Sequence, residues 1–192
     1  MPGIPGFYGD IGSGSPIEGS NIYALYLRGW RGILIDPIAT NIKLSREIRS
    51  EDQSEMILCG EHPGEILDFY EFETYQYSTT LADRAREMQD LGHAVKAIYP
   101  LETTRLADLL PAAIPDGPSL LSIDAEGVEL EILRGNDWNR FTPGFIIVEE
   151  WEPPIRQETQ ISRFLESKGY LLFGFSGASC LYKQGLRDLR PW

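Results

Sequence analysis

The stretch Phe7 to Pro37, FYGDIGSGSPIEGSNIYALYLRGWRGILIDP, limits what this chain can become more than any other. It opens with a short run ending at Asp10 and turns through Gly12, Ser13 and Gly14. A segment of helical character follows from Ser20 to Arg28, closed by Gly29 and Trp30, and an apolar run, Gly32 to Ile35, then ends at Asp36. Strand, glycine turn, helix, strand and acid in that order spell one βαβ half of a nucleotide-binding sheet. Glycines let the backbone approach a ligand where a Cβ would intervene. An acid at the end of the second strand is placed to accept hydrogen bonds from ribose hydroxyls, which makes Asp36 a candidate ligand-binding residue.

Asp10 departs from the dinucleotide pattern. A G-x-G-x-x-G turn seats a pyrophosphate on a helix N-terminus, whereas D-I-G-S-G-S-P lacks the third glycine and places a carboxylate where a phosphate would be repelled. A negative charge there suits a ligand with positive charge, such as the amino group and sulfonium of S-adenosylmethionine. A nicotinamide-dependent oxidoreductase would share the opening βαβ unit, and a binding module without catalysis would share the fold.

Charge narrows the partners. With 17 basic and 29 acidic residues the net charge is −12, so phosphate backbones and anionic lipid are repelled and neither nucleic acid nor a membrane surface is expected. Cys59 and Cys180 lie far apart with no CxxC pattern, which fits a reducing cytoplasm. No apolar run reaches the length of a membrane span, and MPGIPGFYG has neither the basic nor the long apolar region of a secretory signal. The 192 residues are enough for a single domain, 1–192, with a full core, and a homo-oligomer stays open.

Along the chain, residues 39–51 read as a polar helix and Met56–Cys59 as a third strand. The loop Gly60–Gly64 follows at the strand's C-terminal end, where the switch-point rule makes Glu61 a candidate neighbour of an adenine. Ile66–Phe72 reads as a strand or hairpin arm, 80–91 as a helix, Ala94–Tyr99 as a strand and Leu106–Leu110 as a short helix. Ser119–Ile123 predicts a buried strand running into Asp124, followed by a helix over 128–134. Phe145–Val148 predicts another strand, ending at Glu149-Glu150. A helix over 159–168 and two strands, 170–175 and 179–183, close enough to pair antiparallel, complete the chain. Asp10, Asp36, Asp124, Glu149 and Glu150 all follow apolar strands, so one sheet edge gathers them, and like charges in a cleft need a cation or hydrogen-bond donors to compensate. Trp30 and Trp138 read as core residues, His62 and His93 as surface residues, and Glu126 and Glu129 as structural acids near a helix start.

These blocks resemble the FkbM-type methyltransferases over nearly the whole chain. The carrying motifs are FYGDIGSGSPIEGS, GWRGILIDP, GEHPGEI, YSTTL at 77–81, IDAEGVELEILRG at 123–135 and IIVEEWEP at 146–153. The chain departs from the family pattern at Ser13, Ile22 and Ser122, where alanine, threonine and lysine are usual. The resemblance implies a Rossmann-like class I methyltransferase fold, α/β, with a mostly parallel sheet, an antiparallel C-terminal strand pair and helices on both faces. It also implies methyl transfer from S-adenosylmethionine to oxygen, on a sugar, polysaccharide or secondary metabolite. By the same resemblance Asp10, Gly12 and Ser13 touch the methionine end, Asp36 the ribose, Gly14 also binds the cofactor, and Asp124 lies under the transferring methyl. Asp124, Glu149 and Glu150 further resemble the metal-binding acids of catechol-type and macrolide sugar O-methyltransferases, which implies a divalent cation, Mg2+, that lowers the pKa of the acceptor hydroxyl. Without a metal, Asp124 or Glu149 is the base. Only Met1–Gly6 precede the first strand, so cover for the acceptor site is expected from the insertion 66–118, whose aromatics Phe69, Tyr70, Phe72, Tyr75 and Tyr77 and polar Ser78-Thr79-Thr80 would lie over the sheet edge.

Overall fold

Alternation of apolar and polar residues in the strands decides which faces meet, and the computed structural model, which describes residues 5–111, 117–151, 154 and 157–185, shows the result. In chain order the elements are β1 (Phe7–Ile11), α1 (Tyr23–Tyr26), β2 (Arg31–Asp36), α2 (Ala39–Ile48), β3 (Gln53–Met56), β4 (Leu58–Gly60) and β5 (Ile66–Phe72). A 3-10 turn (Tyr75–Tyr77), α3 (Ala82–Asp90), β6 (Val95–Arg105), α4 (Leu106–Leu109) and β7 (Ser119–Ile123) follow. The last are α5 (Glu129–Arg134), β8 (Phe145–Glu149), α6 (Gln160–Ser167), β9 (Tyr170–Ser176) and β10 (Ser179–Gln184).

Seven strands form one sheet in the order β3-β2-β1-β7-β8-β10-β9. The first five run parallel, and β10 is antiparallel to both β8 and β9. Central strands of a parallel sheet are covered on both faces and so read as continuous apolar runs. β1 obeys this: all five of its residues are buried, Asp10 among them, opposite Leu34 on one side and Ser122 on the other. Odd and even residues of β1 serve different cores. Tyr8, with Leu34 and Leu120, packs under Ile22, Leu25 and Trp30. Phe7 and Ile11, with Ile35, Leu121 and Ile123, pack with Leu106, Ile132, Leu133 and Leu165 of α4, α5 and α6. No helix among the described residues is long and apolar enough to cross a membrane.

Three sequence expectations change. The helix expected over Ser20–Arg28 contracts to Tyr23–Tyr26, because Ser20 Oγ accepts from the amides of Ile22 and Tyr23 and the chain unwinds into a turn before Gly29. The third strand divides: β3 stays in the main sheet, and after Ile57, whose amide donates to the Asp36 carbonyl at 3.2 Å, β4 turns into a second sheet of order β4-β6-β5. There β6 extends to Arg105, past the expected Tyr99, since it pairs antiparallel with β5 and parallel with β4. Part of the expected insertion, 112–116, lies outside the described residues, as do 1–4 at the amino terminus.

One polar cluster locks the β1–β2–α2 corner. Arg49, read from sequence as part of a solvated helix, is fully buried and ion-paired with Asp52 at 2.9 Å, neither side chain exposed. Tyr8 donates its hydroxyl to Asp52 Oδ2 at 2.7 Å, Arg49 Nη2 donates to the Tyr8 oxygen at 2.9 Å, and the Gly32 amide donates to Asp52 Oδ1 at 2.9 Å. The guanidinium also lies 5.3 Å from the Tyr8 ring centroid and 5.4 Å from that of Tyr26. Removing one partner of a buried pair strands the other charge in low dielectric. Arg49→Met should therefore lower the free energy of unfolding by about 3–5 kcal/mol in urea titrations, and a loss below 1 kcal/mol would show that water reaches the pair.

Candidate functional site

The glycine turn leaves β1 and doubles back under β2. The amides of Gly12 and Ser13 both donate to the Ile35 carbonyl, at 2.9 and 3.1 Å. Two glycines are required here for different reasons. Gly12, at φ 72, passes so close to β7 that a Cβ would stand 1.7 Å from the Asp124 carbonyl oxygen, and Gly14, at φ 52, lies under the ring of Tyr75. The Gly14 amide then donates to Asp36 Oδ2 at 2.8 Å. Asp36 also accepts from the Ile38 amide at 2.8 Å and from Asn41 Nδ2 at 3.2 Å. Burial raises its pKa, and these donors act against that rise.

This turn forms one wall of a cavity of about 370 Å3, within the size range of small-molecule sites. Gly12, Ser13, Gly14 and Asp36 line it, and the buried Ser13 hydroxyl has no hydrogen-bond partner among the described residues. One end is apolar, formed by Ile38, Leu58 and Phe69, which pack as a cluster with Tyr75 against it. The other end is acidic, formed by Asp124 and Glu126 beyond β7. Tyr75, Gln76, Ser78, Thr79 and Thr80 of the expected insertion line the cavity as well, and Tyr75 accepts a hydrogen bond from the Ser15 amide at 3.2 Å. Phe69 and Phe72 are core residues, Tyr70 and Tyr77 pack around Phe72, and Tyr75 alone of those five aromatics touches the glycine turn.

At the acidic end, Asp124, Glu126 and Glu149 each bring a carboxylate oxygen within 4.8 Å of the others. Burial, then the negative charges of Asp124, Glu126 and Glu129, push the Glu149 carboxyl upward, and burial raises Asp124 as well, with its hydrogen bond to Glu149 acting against that rise. Oε2 of Glu149 is buried without a partner among the described residues. Glu126 is pushed up to about 7, chiefly by burial and then by Asp124, with Arg84 acting against the shift. Glu126 therefore belongs to the cluster, against its sequence reading as a structural acid. Glu129 keeps that reading: its Oε1 accepts from the amides of Ala125 and Gly127, at 2.9 and 3.0 Å.

Glu149 lies beside Asp124 and Glu126 rather than in the cavity lining, and three further expected site residues are also outside that lining. Glu150 turns away from Asp124 and Glu149, because adjacent strand residues face opposite sides; it accepts from Tyr182 at 2.5 Å and from Thr159. The expected trio of Asp124, Glu149 and Glu150 is thus Asp124, Glu126 and Glu149. Glu61 lies on the surface, 3.7 Å from Arg134 and 3.9 Å from His62, since β4 has left the main sheet before its loop begins. Asp10 is enclosed behind the turn, bonded to Ser122 and in the field of Arg49, Asp124 and Asp36. Sequence reasoning missed Ile38, Asn41 and Leu58; the position of Ile38 two residues past a strand-end acid was the available signal.

A family model described as the methyltransferase FkbM domain matches residues 10–172. Methyltransferase sdnD of Sordaria araneosa is 38% identical in an alignment 108 residues long that covers 49% of this chain and 39% of that protein. The crystal structure of methyltransferase FkbM from Methylobacillus flagellatus KT aligns with a TM-score of 0.54 at 15% identity, over 93% of this chain and 43% of that one, a likeness of fold. The chain thus spans less than half the length of both relatives.

Asp10 yields a prediction of its own. Burial pushes its pKa up to about 7 from an ordinary value of 3.8. The folded chain thus holds that proton more tightly than the unfolded one, and the stabilisation this gives is complete below pH 3.8 and lost as pH rises towards 7. Asp10→Asn should leave stability at pH 4 close to the parent's and raise it at pH 8 by on the order of 1–4 kcal/mol. Denaturant midpoints at the two pH values check this; an equal offset at both would show that Asp10 titrates normally.

Proposed function

Because the chain belongs to the FkbM methyltransferase domain family, we propose that it binds S-adenosylmethionine in this cavity and transfers methyl to a hydroxyl oxygen of a small-molecule or glycan acceptor. The observation that carries this reading is the change of character along the cavity, from apolar at Ile38, Leu58 and Phe69 to acidic at Asp124 and Glu126. A cationic nucleoside fits that gradient. The orphaned Ser13 hydroxyl offers a polar contact at the turn, and Asp36 stands between the two ends. When bound, S-adenosylmethionine supplies a methyl group on positively charged sulfur.

The chain's own residues do the rest. Ile38, Leu58 and Phe69 enclose a flat base, and the Asp36 carboxylate accepts from ribose hydroxyls beside its three protein donors. Asp124, its pKa raised by burial and its carboxyl hydrogen-bonded to Glu149, takes the proton of the acceptor hydroxyl as the sulfur–carbon bond breaks and the oxygen–carbon bond forms. A divalent cation, Mg2+, held by Asp124, Glu126 and Glu149 is the second reading, favoured by the same convergence of oxygens. It would supply Lewis-acid activation of that hydroxyl. Labelled methyl transfer that survives excess chelator supports the base, and loss restored by magnesium supports the cation.

Asp36→Ala removes charge-assisted hydrogen bonds worth roughly 1.5–3 kcal/mol, so calorimetric affinity for S-adenosylhomocysteine should fall tenfold or more. Unchanged affinity, or binding of NAD in its place, would overturn the reading. The lid is narrower than the whole insertion: β5 and β6 form a ladder with β4, which leaves 74–81 as the segment over the cavity. Hydrogen exchange should therefore show ligand-dependent protection at 75–80 and none in β6; equal changes in both would make the whole hairpin the lid.

A further inference from the structure

We propose that Thr79 is a positioning residue: its hydroxyl, by donating to the Glu126 carbonyl, holds Glu126 in a left-handed backbone conformation that carries the Glu126 carboxylate onto Asp124 and Glu149. The proposal rests on the reading of this cavity as the methyl-donor site, and it assigns to the segment over the cavity a role beyond cover.

Glu126, at φ 54, is the one non-glycine residue with positive φ among the described residues. Glutamate gains nothing from that conformation, and glycine would adopt it without strain. Strain of this kind persists only where the surroundings over-determine it, and it gathers at functional sites. The surroundings are visible here. Thr79 Oγ1 donates to the Glu126 carbonyl at 3.0 Å and accepts from the Leu81 amide at 3.1 Å, which leaves the hydroxyl proton directed at Glu126. Thr79 is itself fixed: it is 1% exposed, and its amide and carbonyl both bond Tyr70 of β5, at 3.2 and 2.9 Å. Leu81 presses on the next residue, so that a Cβ at Gly127 would meet its Cδ1 at 2.8 Å. From the opposite side Glu129 holds the amides of Ala125 and Gly127.

Two sides of the loop are thus gripped by side chains that touch no reacting atom. The sheet supplies Asp124 and Glu149 from strand ends, where alternation fixes their direction. Glu126 comes from a turn, and a turn has no such rule. Thr79 gives it a direction, and it does so from a segment 47 residues earlier in the chain.

Thr79→Val removes the donor at nearly constant volume, and Thr79→Ser keeps it. The backbone carbon shifts of Glu126, measured by NMR on the full chain, report its conformation directly. They should leave left-handed values in Thr79→Val and keep them in Thr79→Ser; unchanged shifts in Thr79→Val overturn the proposal. Should Thr79→Val fail to fold, Glu126→Gly decides: relief of strain should raise Tm by about 2–4 °C in both the parent and Thr79→Ser, and a lowered Tm would show that no strain is held there. Calorimetry with S-adenosylhomocysteine runs beside these measurements. Absence of binding to the parent chain sinks the methyl-donor reading, while the NMR shifts, or the Tm of Glu126→Gly where Thr79→Val does not fold, decide Thr79.

Discussion

Buried acids outnumber buried cations among the described residues, and the arrangement of the sheet edge follows from how each acid is compensated. A carboxylate taken out of water must find a cation, hydrogen-bond donors or a proton. Asp52 has the cation: Arg49 is the only basic side chain of the buried class among the described residues, and it closes the corner where β1, β2 and α2 meet. Asp36 has donors, three of them, and through the Gly14 amide it ties the end of β2 to the glycine turn. Asp124 and Glu149 have each other, through a hydrogen bond between their carboxyls. Asp10 is compensated by the field of Arg49 and by Ser122, and burial outweighs both, so its pKa is raised.

A cavity bordered by such groups is selective before any ligand arrives. Its acidic end attracts cations and hydroxyl donors and repels phosphate, while its apolar end offers no partner to a charge. The two ends are joined by backbone that glycine alone can supply, because the turn at Gly12 runs against the Asp124 carbonyl. In the proposed function, binding, orientation and proton transfer all fall on one short strip of the sheet's carboxyl edge, where open α/β sheets bind ligands.

The segment above that strip is fastened at both ends of the cavity. Tyr75 meets the glycine turn through the Ser15 amide, and Thr79 meets the acidic loop through Glu126. Its later half is also tied to β5, by the paired backbone bonds of Tyr70 and Thr79 and by the Ser78 hydroxyl, which accepts from the Phe72 amide, and Ser78 and Thr79 are buried.

Much of this protein was legible in its sequence, because the relevant signals are local. Apolar runs ending in acids gave β1, β2, β7 and β8 with Asp10, Asp36, Asp124 and Glu149 at one edge, and the close spacing of the last two apolar runs gave the antiparallel pair β9 and β10. The glycine turn and the motif at 123–135 pointed to the family. Tertiary structure alone decided the rest, since it depends on contacts between distant residues. The burial of Arg49 needs Tyr8, the joining of Ser15 to Tyr75 spans 60 residues, and the departure of β4 from the main sheet needs β6 as a partner. The exchange of Glu150 for Glu126 shows the boundary most clearly: two glutamates adjacent in sequence at a strand end must face opposite ways, and the place vacated is filled from a turn whose direction is set by a threonine on another sheet edge.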